Sequence, residues 1–433
     1  MAYTRGQHVT GRGPSRRVTP LRLLTSACSL IAGMGAMCLS LAAPDAAAAT
    51  PTPGVTANTV TVGSISDISA PIPGLFTGAK VGTQAYFAYI NSQGGVNGRK
   101  LILDGMDSAF SSGTVASAAQ NIARNDLAIV GGYSLLDGSE QSAVDAGKVP
   151  MITQVLTPSL DADPNLYSAV PLVAGGESTG PFKWLKSTYP GAVKAVGVIG
   201  SNSSTTSVIA EQTFRKLTYS LGYKWLFAHD EGYTTTTFLP DIVKMKAAGV
   251  KMVFEPSQQG AYISNIAQDM KQEGLNALLV SGANAYEHGF EPGSAGNGTL
   301  ITTVTALYMG EDAKSVPAVA TFDKWAKKVD PQTQLDLYTL YGWINAQLFV
   351  QALKGAGAHP TRASLEAQLD KITSFNANGL ISTQDPAQKI PGECWIAARY
   401  ENGSWHRISP DPKSGFVCSP KGFYPTGYKG ISR

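Results

Sequence analysis

The sequence predicts an α/β protein built from two doubly wound parallel-sheet lobes. Two observations carry that expectation: from Val60 onward short β-rich runs alternate with amphipathic segments, and the alternation starts afresh after Pro171 and Gly175-Gly176. The first strand is predicted over 60–65. A helix follows over 76–91, where Ala79, Val81, Ala85, Phe87 and Ala88 recur at helical spacing as a stripe that can be buried. Gly94-Gly95 ends that helix through positive φ, and Asn97-Gly98 makes the tight reversal into the next strand. Strands over 100–104, 127–131 and 149–153 then alternate with helices over 113–124 and 139–146. The second unit has predicted strands over 193–199, 224–228, 251–255 and 277–280. A Gly-rich loop from Gly289 to Gly298 leads to a strand over 300–307 and a strong helix over 335–354, with Leu337, Leu340, Tyr341, Ile344, Leu348 and Leu353 on one side. The tail from Glu393 reads as a strand pair around Asn402-Gly403 that packs on one lobe as a stapled hairpin. The halves are alike in kind without a self-similar sequence period, so they are not a repeat.

Residues 1–49 differ from the rest. Five arginines (Arg5, Arg12, Arg16, Arg17 and Arg22) precede and border an apolar stretch from Leu23 to Ala43, and the run Ala46 to Ala49 offers a small-residue cleavage site. This is the pattern of a signal peptide, with cleavage expected near Ala49 and an exported, periplasmic or cell-envelope location. Arg16-Arg17 after Ser15 fits a twin-arginine signal, while Thr19 and Pro20 stand where that signal prefers bulky apolar residues. Both that route and the general secretory one stay open. Cys28 and Cys38 have no aliphatic residue three places upstream, so lipoprotein anchoring is not expected. Removing the leader leaves 29 basic against 30 acidic residues, a net charge near −1. With no block of Lys or Arg to follow a phosphate backbone, nucleic acid is excluded as a partner, and so is an anionic membrane surface. No later apolar run reaches the roughly 18 to 20 residues of a membrane span, so no stable membrane insertion is expected. Cys394 and Cys418 are the remaining cysteines, and in an oxidising compartment they are expected to form a disulfide.

Val62-Gly63, Phe76-Thr77-Gly78-Ala79 and the run Ile90-Asn91 through Gly94-Gly95-Val96-Asn97-Gly98-Arg99-Lys100-Leu101 resemble the first lobe of branched-chain amino acid ABC transporter substrate-binding proteins. Ile129-Val130-Gly131-Gly132, Val149-Pro150-Met151-Ile152 and Thr157-Pro158 keep the family's order and spacing. The resemblance covers nearly all of residues 58–385 and is strongest over the first hundred. It implies a type I periplasmic binding protein fold, two doubly wound parallel-sheet lobes joined by three crossover strands, here near Val173, Thr302 and Lys389. Lobe 1 is then 50–172 plus 302–388, and lobe 2 is 173–301 plus 389–433. It also implies a small organic ligand trapped between two separately folded sheets, and an ABC transporter permease as partner. No cofactor and no metal are implied.

The resemblance places the ligand against loops at the carboxyl ends of the strands. Relatives that bind amino acids hold the carboxylate with small hydroxyl residues in the loops after the third and fourth strands, and the ammonium with an acid of the second lobe. In this chain Leu135 falls where a hydroxyl is common, and Val155 and Leu156 fall where Ala and Thr are usual; a shift of one position restores Ser134 or Thr157. The loop Ser201-Asn202-Ser203-Ser204 lacks the tyrosine of many relatives. The expected acid is replaced by Ala283-Asn284, with Glu287 displaced along the loop. Candidate ligand contacts are therefore Ser66, Asp67, Tyr133, Ser134, Leu135, Val155, Leu156, Ser203, Gln258, Tyr262 and Asn284. Asp67 reads equally well as a cap of the following helix, Asn284 as an Asx turn, and Trp343 as core. A buried ammonium without an anionic partner is costly, which points to a ligand more apolar than a simple α-amino acid.

Two other classes stand against this reading. No Gly-x-Ser-x-Gly elbow, His-Glu-x-x-His, phosphate loop or dinucleotide fingerprint is present, and His229, His288, His359 and His406 are not at metal-ligand spacing, so no enzyme is predicted. An exported binder that presents its ligand to a sensor remains an alternative, as does amino acid binding.

Overall fold

A computed structural model describes residues 51–70, 75–171, 177–202, 205–232, 234–419 and 422–424. The leader with Cys28 and Cys38, the crossing expected near Val173, and Ser203 lie outside the described residues. The first sheet comprises β1 (Thr59–Ser66), β2 (Lys100–Asp107), β3 (Ile129–Val130), β4 (Met151–Ile152) and β5 (Leu166–Tyr167). Its order is β2-β1-β3-β4-β5 and every pairing is parallel. Between these strands run α1 (Thr77–Ser92), α2 (Ser112–Asn125), α3 (Gln141–Gly147) and the single turn α4 (Pro158–Asp161). Each strand from β1 to β4 is followed by a helical segment, and the result is the doubly wound unit that the alternation predicted. The turn after α1 takes positive φ at Gly94, Gly95, Asn97 and Gly98, and a short bridge joins Val96 to Arg99.

After β6 (Glu177–Ser178) the chain builds α5 (Gly180–Thr188), β7 (Val196–Ser201), α6 (Thr205–Ser220), β8 (Trp225–Glu231), α7 (Leu239–Ala248), β9 (Met252–Glu255), α8 (Gly260–Glu273), β10 (Leu278–Ser281) and β11 (Leu300–Thr303). It then returns to the first sheet with α9 (Pro317–Val329), α10 (Leu337–Gly355) and α11 (Arg362–Leu369), of which α9 and α10 pack on α1. The tail supplies β12 (Cys394–Glu401), β13 (Ser404–Ser409), β14 (Val417–Cys418) and β15 (Phe423–Tyr424). The second sheet has the order β13-β12-β11-β10-β9-β7-β8, parallel from β8 through β11 and antiparallel from β11 to β13.

Several expectations change in detail. The strand predicted over 300–307 stops at Thr303, because the Thr303 and Thr305 hydroxyls bond to each other at 2.9 Å and the Ala306 amide turns to the Leu380 carbonyl. Helix α10 is buried on every side, not along one stripe. It lies against α1 through two glycines: a Cβ on Gly82 would stand 1.9 Å from the Thr339 carbonyl oxygen, and one on Gly342 would stand 2.0 Å from that of Ala79. Any side chain there would push the helices apart. Trp343 is core, edge-on to Tyr86 and Phe322. Each sheet has a private apolar cluster, and the largest cluster runs from one sheet to the other. The returning segment causes this by laying Tyr308 and Phe322 between Tyr286 on one side and Trp343 on the other.

The hairpin around Asn402-Gly403 forms and extends the second sheet. Cys394 and Cys418 are bonded, but the staple joins β12 to the third strand β14 and does not bridge the hairpin's two arms. A buried ion pair between Arg407 and Asp312 fixes the hairpin to the segment after β11. Closing the loop between the two cysteines is expected to contribute about 3 kcal/mol. Urea unfolding of the oxidised chain against Cys394→Ser/Cys418→Ser is expected to show that loss; equal midpoints would remove the staple from the account.

Candidate functional site between the carboxyl edges of the two sheets

Parallel strands deliver their carboxyl ends to one edge, and the loops leaving that edge carry amides and short side chains outward. On the first sheet this edge is organised by two buried aspartates. Asp67 is fully buried, and its carboxylate accepts the Ser134 hydroxyl at 2.7 Å, the Leu135 amide at 2.7 Å and the Ser108 hydroxyl. It ties the ends of β1, β2 and β3 together and does not cap α1, whose N-cap is Phe76. Asp137 repeats the device one loop on, accepting the Thr157 hydroxyl at 2.6 Å and the Leu156 amide. Burial raises its pKa to about 6, against the pull of those donors.

These ties engage the hydroxyls that the sequence left open. Ser134 and Thr157, the alternative contacts for a ligand carboxylate, both direct their hydroxyls at aspartates. Leu135 and Leu156 are half-buried at the rim, whereas Val155 belongs to the first sheet's private core and Ser66 is buried. Tyr133 joins an aromatic cluster: Phe76 lies 4.6 Å from both Tyr133 and Tyr338, Tyr133 lies 5.0 Å from Tyr338, and Tyr341 is 6.3 Å from Tyr133. One ring comes from the start of α1, one from the end of β3 and two from the start of α10.

On the second sheet, Glu255 at the end of β9 is fully buried and accepts the Ser257 and Gln258 amides at 3.0 to 3.2 Å. Burial raises its pKa to about 7. Gln258 donates its side-chain amide to the Ser201 hydroxyl at 2.5 Å, and Asn284 donates to the Ser257 carbonyl at 2.6 Å, so both hold loop to loop. Tyr262 turns into the core of α8, its ring 4.5 Å from Phe238. Where the sequence suggested no acid, the 282–290 loop folds back and returns Glu287 to the amino end of α8, accepting the Gly260 amide at 2.6 Å. Burial and the facing charge of Asp336 raise its pKa to about 7. Asp336 caps α10 through the Thr339 amide and hydroxyl, each at 2.6 Å. The two edges approach each other where Tyr338 faces Gln259.

The sequence therefore did not single out Asp137, Asp336, Tyr338 and Tyr341 at this edge. Asp336 carried a readable signal, an aspartate directly before an apolar helical run with Thr339 three residues on. His229, expected to be isolated, lies with Glu231 and Asp241 so that three ligand atoms fall within 4.8 Å. Its Nδ1 is 2.7 Å from Asp241 and Lys244 stands 3.3 Å from that carboxylate's other oxygen, which satisfies the group as an ion pair. A groove of about 560 Å³ opens beside Asn276, Gly298 and Thr299, where β10 and β11 begin, and lies at the wrong end of the sheet for this site.

A leucine/isoleucine/valine-binding protein homologue from Brucella suis is 24% identical over 352 residues, covering 77% of this chain and 88% of the relative. Among solved structures, a fatty acid ABC transporter substrate-binding protein from Thermomonospora curvata superposes with a TM-score of 0.69 at 17% identity, covering 87% of this chain and 98% of that one. A leucine-binding protein from Thermotoga maritima gives 0.65 at 17%, covering 84% and 99%. Both likenesses concern the fold. No helix among the described residues is long and apolar enough to cross a membrane. The family model for periplasmic binding proteins matches residues 59–404, and members of that family are substrate-binding proteins of transporters and not enzymes. Spanning most of the sequence, this match places the chain in the periplasmic binding protein family.

Proposed function

We propose that the chain is an exported solute-binding protein, cleaved near Ala49 and untethered, that closes two lobes on a small organic ligand and delivers it to the permease of an ABC importer. The lobes are 50–172 plus 302–388 and 173–301 plus 389–433, and closure is a hinge motion stabilised by contacts that only the shut form makes. The ligand is more apolar than a simple α-amino acid: an aromatic or aliphatic acid, or a neutral compound. One observation carries this reading, the aromatic cluster of Phe76, Tyr133, Tyr338 and Tyr341 beside a rim whose hydroxyls at Ser134 and Thr157 are already engaged by Asp67 and Asp137.

A thermal-shift screen against amino acids, aromatic acids, short fatty acids and amides is expected to raise the melting temperature only with the apolar compounds. A ligand at 100 times its Kd adds about 2.7 kcal/mol. Tyr133→Ala is expected to weaken the compound found by tenfold or more, since an aromatic face in a closed site contributes at least that much. Calorimetry showing micromolar binding of leucine, isoleucine or valine would defeat the reading. Amino acid binding is the second reading, and Glu287 favours it by standing at the cleft near Asp336 where an ammonium would need an anion.

A further inference from the structure

Two cavities lie along the second sheet beside the cleft and are joined by shared walls. One, of about 200 Å³, touches Tyr341 and Val170 on the first-lobe side and reaches Glu177, Phe182 and Thr302. The other, of about 180 Å³, shares those last three residues and continues inward between the rings of Phe182, Phe214 and Phe254 to Glu211 and Ser281. The inner one is about the size at which an apolar cavity admits a benzene-sized body. No Lys, Arg or His lines either of them among the described residues.

The polar groups of the inner cavity are incompletely matched. Glu211 and Ser281 are each 3% exposed, and neither the Glu211 Oε1 nor the Ser281 hydroxyl has a hydrogen-bond partner among the described residues. Arg215 approaches Oε1 only to 3.6 Å, from a half-exposed side chain. The other Glu211 oxygen meets Asp230 above Gly200, where an added Cβ would stand 2.4 Å from Asp230 Oδ1 and 3.2 Å from Glu211 Oε2. Burial, then the hydrogen bond with Asp230, raises the Glu211 pKa to about 7. A buried polar atom without a partner is a standing cost of about 1–3 kcal/mol, and a carboxylate entering here would add negative charge beside Glu211 and Asp230.

We propose that the inner cavity, walled by Pro256, Ser257 and Gly282 at the carboxyl ends of β9 and β10 beside the interlobe cleft, is a second binding site for a small organic cation with an aromatic or aliphatic body. Its ammonium sits against Glu211 and Ser281, its body lies among Phe182, Phe214 and Phe254, and exposed Glu177 stands at its mouth. The three rings are already mutually edge-on or tilted, with Phe182 5.4 Å and Phe254 4.8 Å from Phe214, so faces as well as edges are available to the guest.

The test is calorimetric titration of the mature chain at pH 8 with 2-phenylethylamine, 2-phenylethanol and 3-phenylpropanoate. The amine is expected to bind at least tenfold more tightly than the alcohol, and the anion more weakly than either. Glu211→Gln is expected to weaken the amine tenfold or more, and Ser281→Val, which removes the hydroxyl and narrows the cavity without touching the carboxylate, to do the same. Tyr133→Ala, a cleft variant, is expected to change it less than twofold. Absence of saturable amine binding, equal binding of the anion, or full affinity in Ser281→Val overturns the proposal, and Ser281→Val decides alone should Glu211→Gln fail to fold. Loss of amine binding in Tyr133→Ala assigns the amine to the cleft and overturns it as well.

Discussion

Replacing Asp67 by Ala is expected to lower stability by about 3–5 kcal/mol and to take ligand binding with it. The carboxylate is wholly buried and is the common acceptor of the Ser108 hydroxyl, the Ser134 hydroxyl and the Leu135 amide. Truncation leaves three buried donors with no acceptor, each costing about 1–3 kcal/mol until the loops relax. Relaxation moves the rim itself: Ser134 also accepts the Leu136 amide, and Tyr133 is the residue before it. Asp67→Asn keeps one acceptor oxygen and is expected to recover part of the loss, while Ser134→Ala is expected to cost about 1 kcal/mol. Urea unfolding and calorimetry on the same samples separate the alternatives. Lost binding with unchanged stability would return Asp67 to the direct ligand contact that its position in the sequence suggested.

Asp67 illustrates how far the sequence could be read. The alternation of β-rich and amphipathic segments is local information, and it specified β1 through β4, the parallel sheets and the turn at Gly94–Gly98. Helix α9 escaped notice although Pro317 stands at its first position and Val319, Phe322 and Ala326 follow at helical spacing. Helix α10 was found but misread as one-sided, because its Gly342, Thr339 and Asn345 are buried by what they meet, α1 and the first sheet, and not by their own hydrophobicity. Burial of a small or polar residue depends on its partner, and partners are distant in sequence.

The site was less legible for the same reason. The sequence placed the candidate loops at the strand ends, yet it could not say which side chains face the gap. Ser134 and Asp67 are 67 residues apart, and Thr157 is 20 residues from Asp137, so their mutual engagement leaves no spacing signature. Glu287 appeared displaced because counting along a loop assumes that it runs straight; the fold-back that brings it to Gly260 is anchored by Tyr286, whose hydroxyl meets Glu311 and whose carbonyl accepts the Tyr308 hydroxyl at 2.6 Å. Tyr341 reads as part of a core stripe, and both it and Tyr338 do pack, but their position at the start of α10 also puts them at the edge where the two sheets meet.

Stability is expected to fall by several kcal/mol as the pH rises from 5 to 8, the reverse of the behaviour of proteins whose carboxylates are held by ion pairs. Burial raises the pKa of Glu255 to about 7 and that of Asp137 to about 6, so between the ordinary carboxylate range and those values the folded chain holds protons that the unfolded chain has released. The stabilisation is complete below the unfolded pKa, near 4, and is lost as the pH climbs through 6 and 7. Each group is almost fully buried, and each shift corresponds to about 3 kcal/mol at 1.36 kcal/mol per pKa unit. Asp126, Asp161, Glu211 and Glu287 are raised for the same first cause and push the same way. His229, raised chiefly by its hydrogen bond to Asp241, adds stability at low pH that is also lost on titration. Asp107 opposes them: burial raises it, but hydrogen bonds from Ser69, Ala109 and Ile68 prevail and hold it near 2, so its contribution is lost only well below pH 4. Denaturant unfolding at pH 5, 6, 7 and 8 measures the slope. Glu255→Gln keeps an acceptor for the Ser257 and Gln258 amides but cannot ionise, and it is expected to flatten the profile between pH 6 and 8; a slope that survives this change would show that burial of Glu255 does not set it.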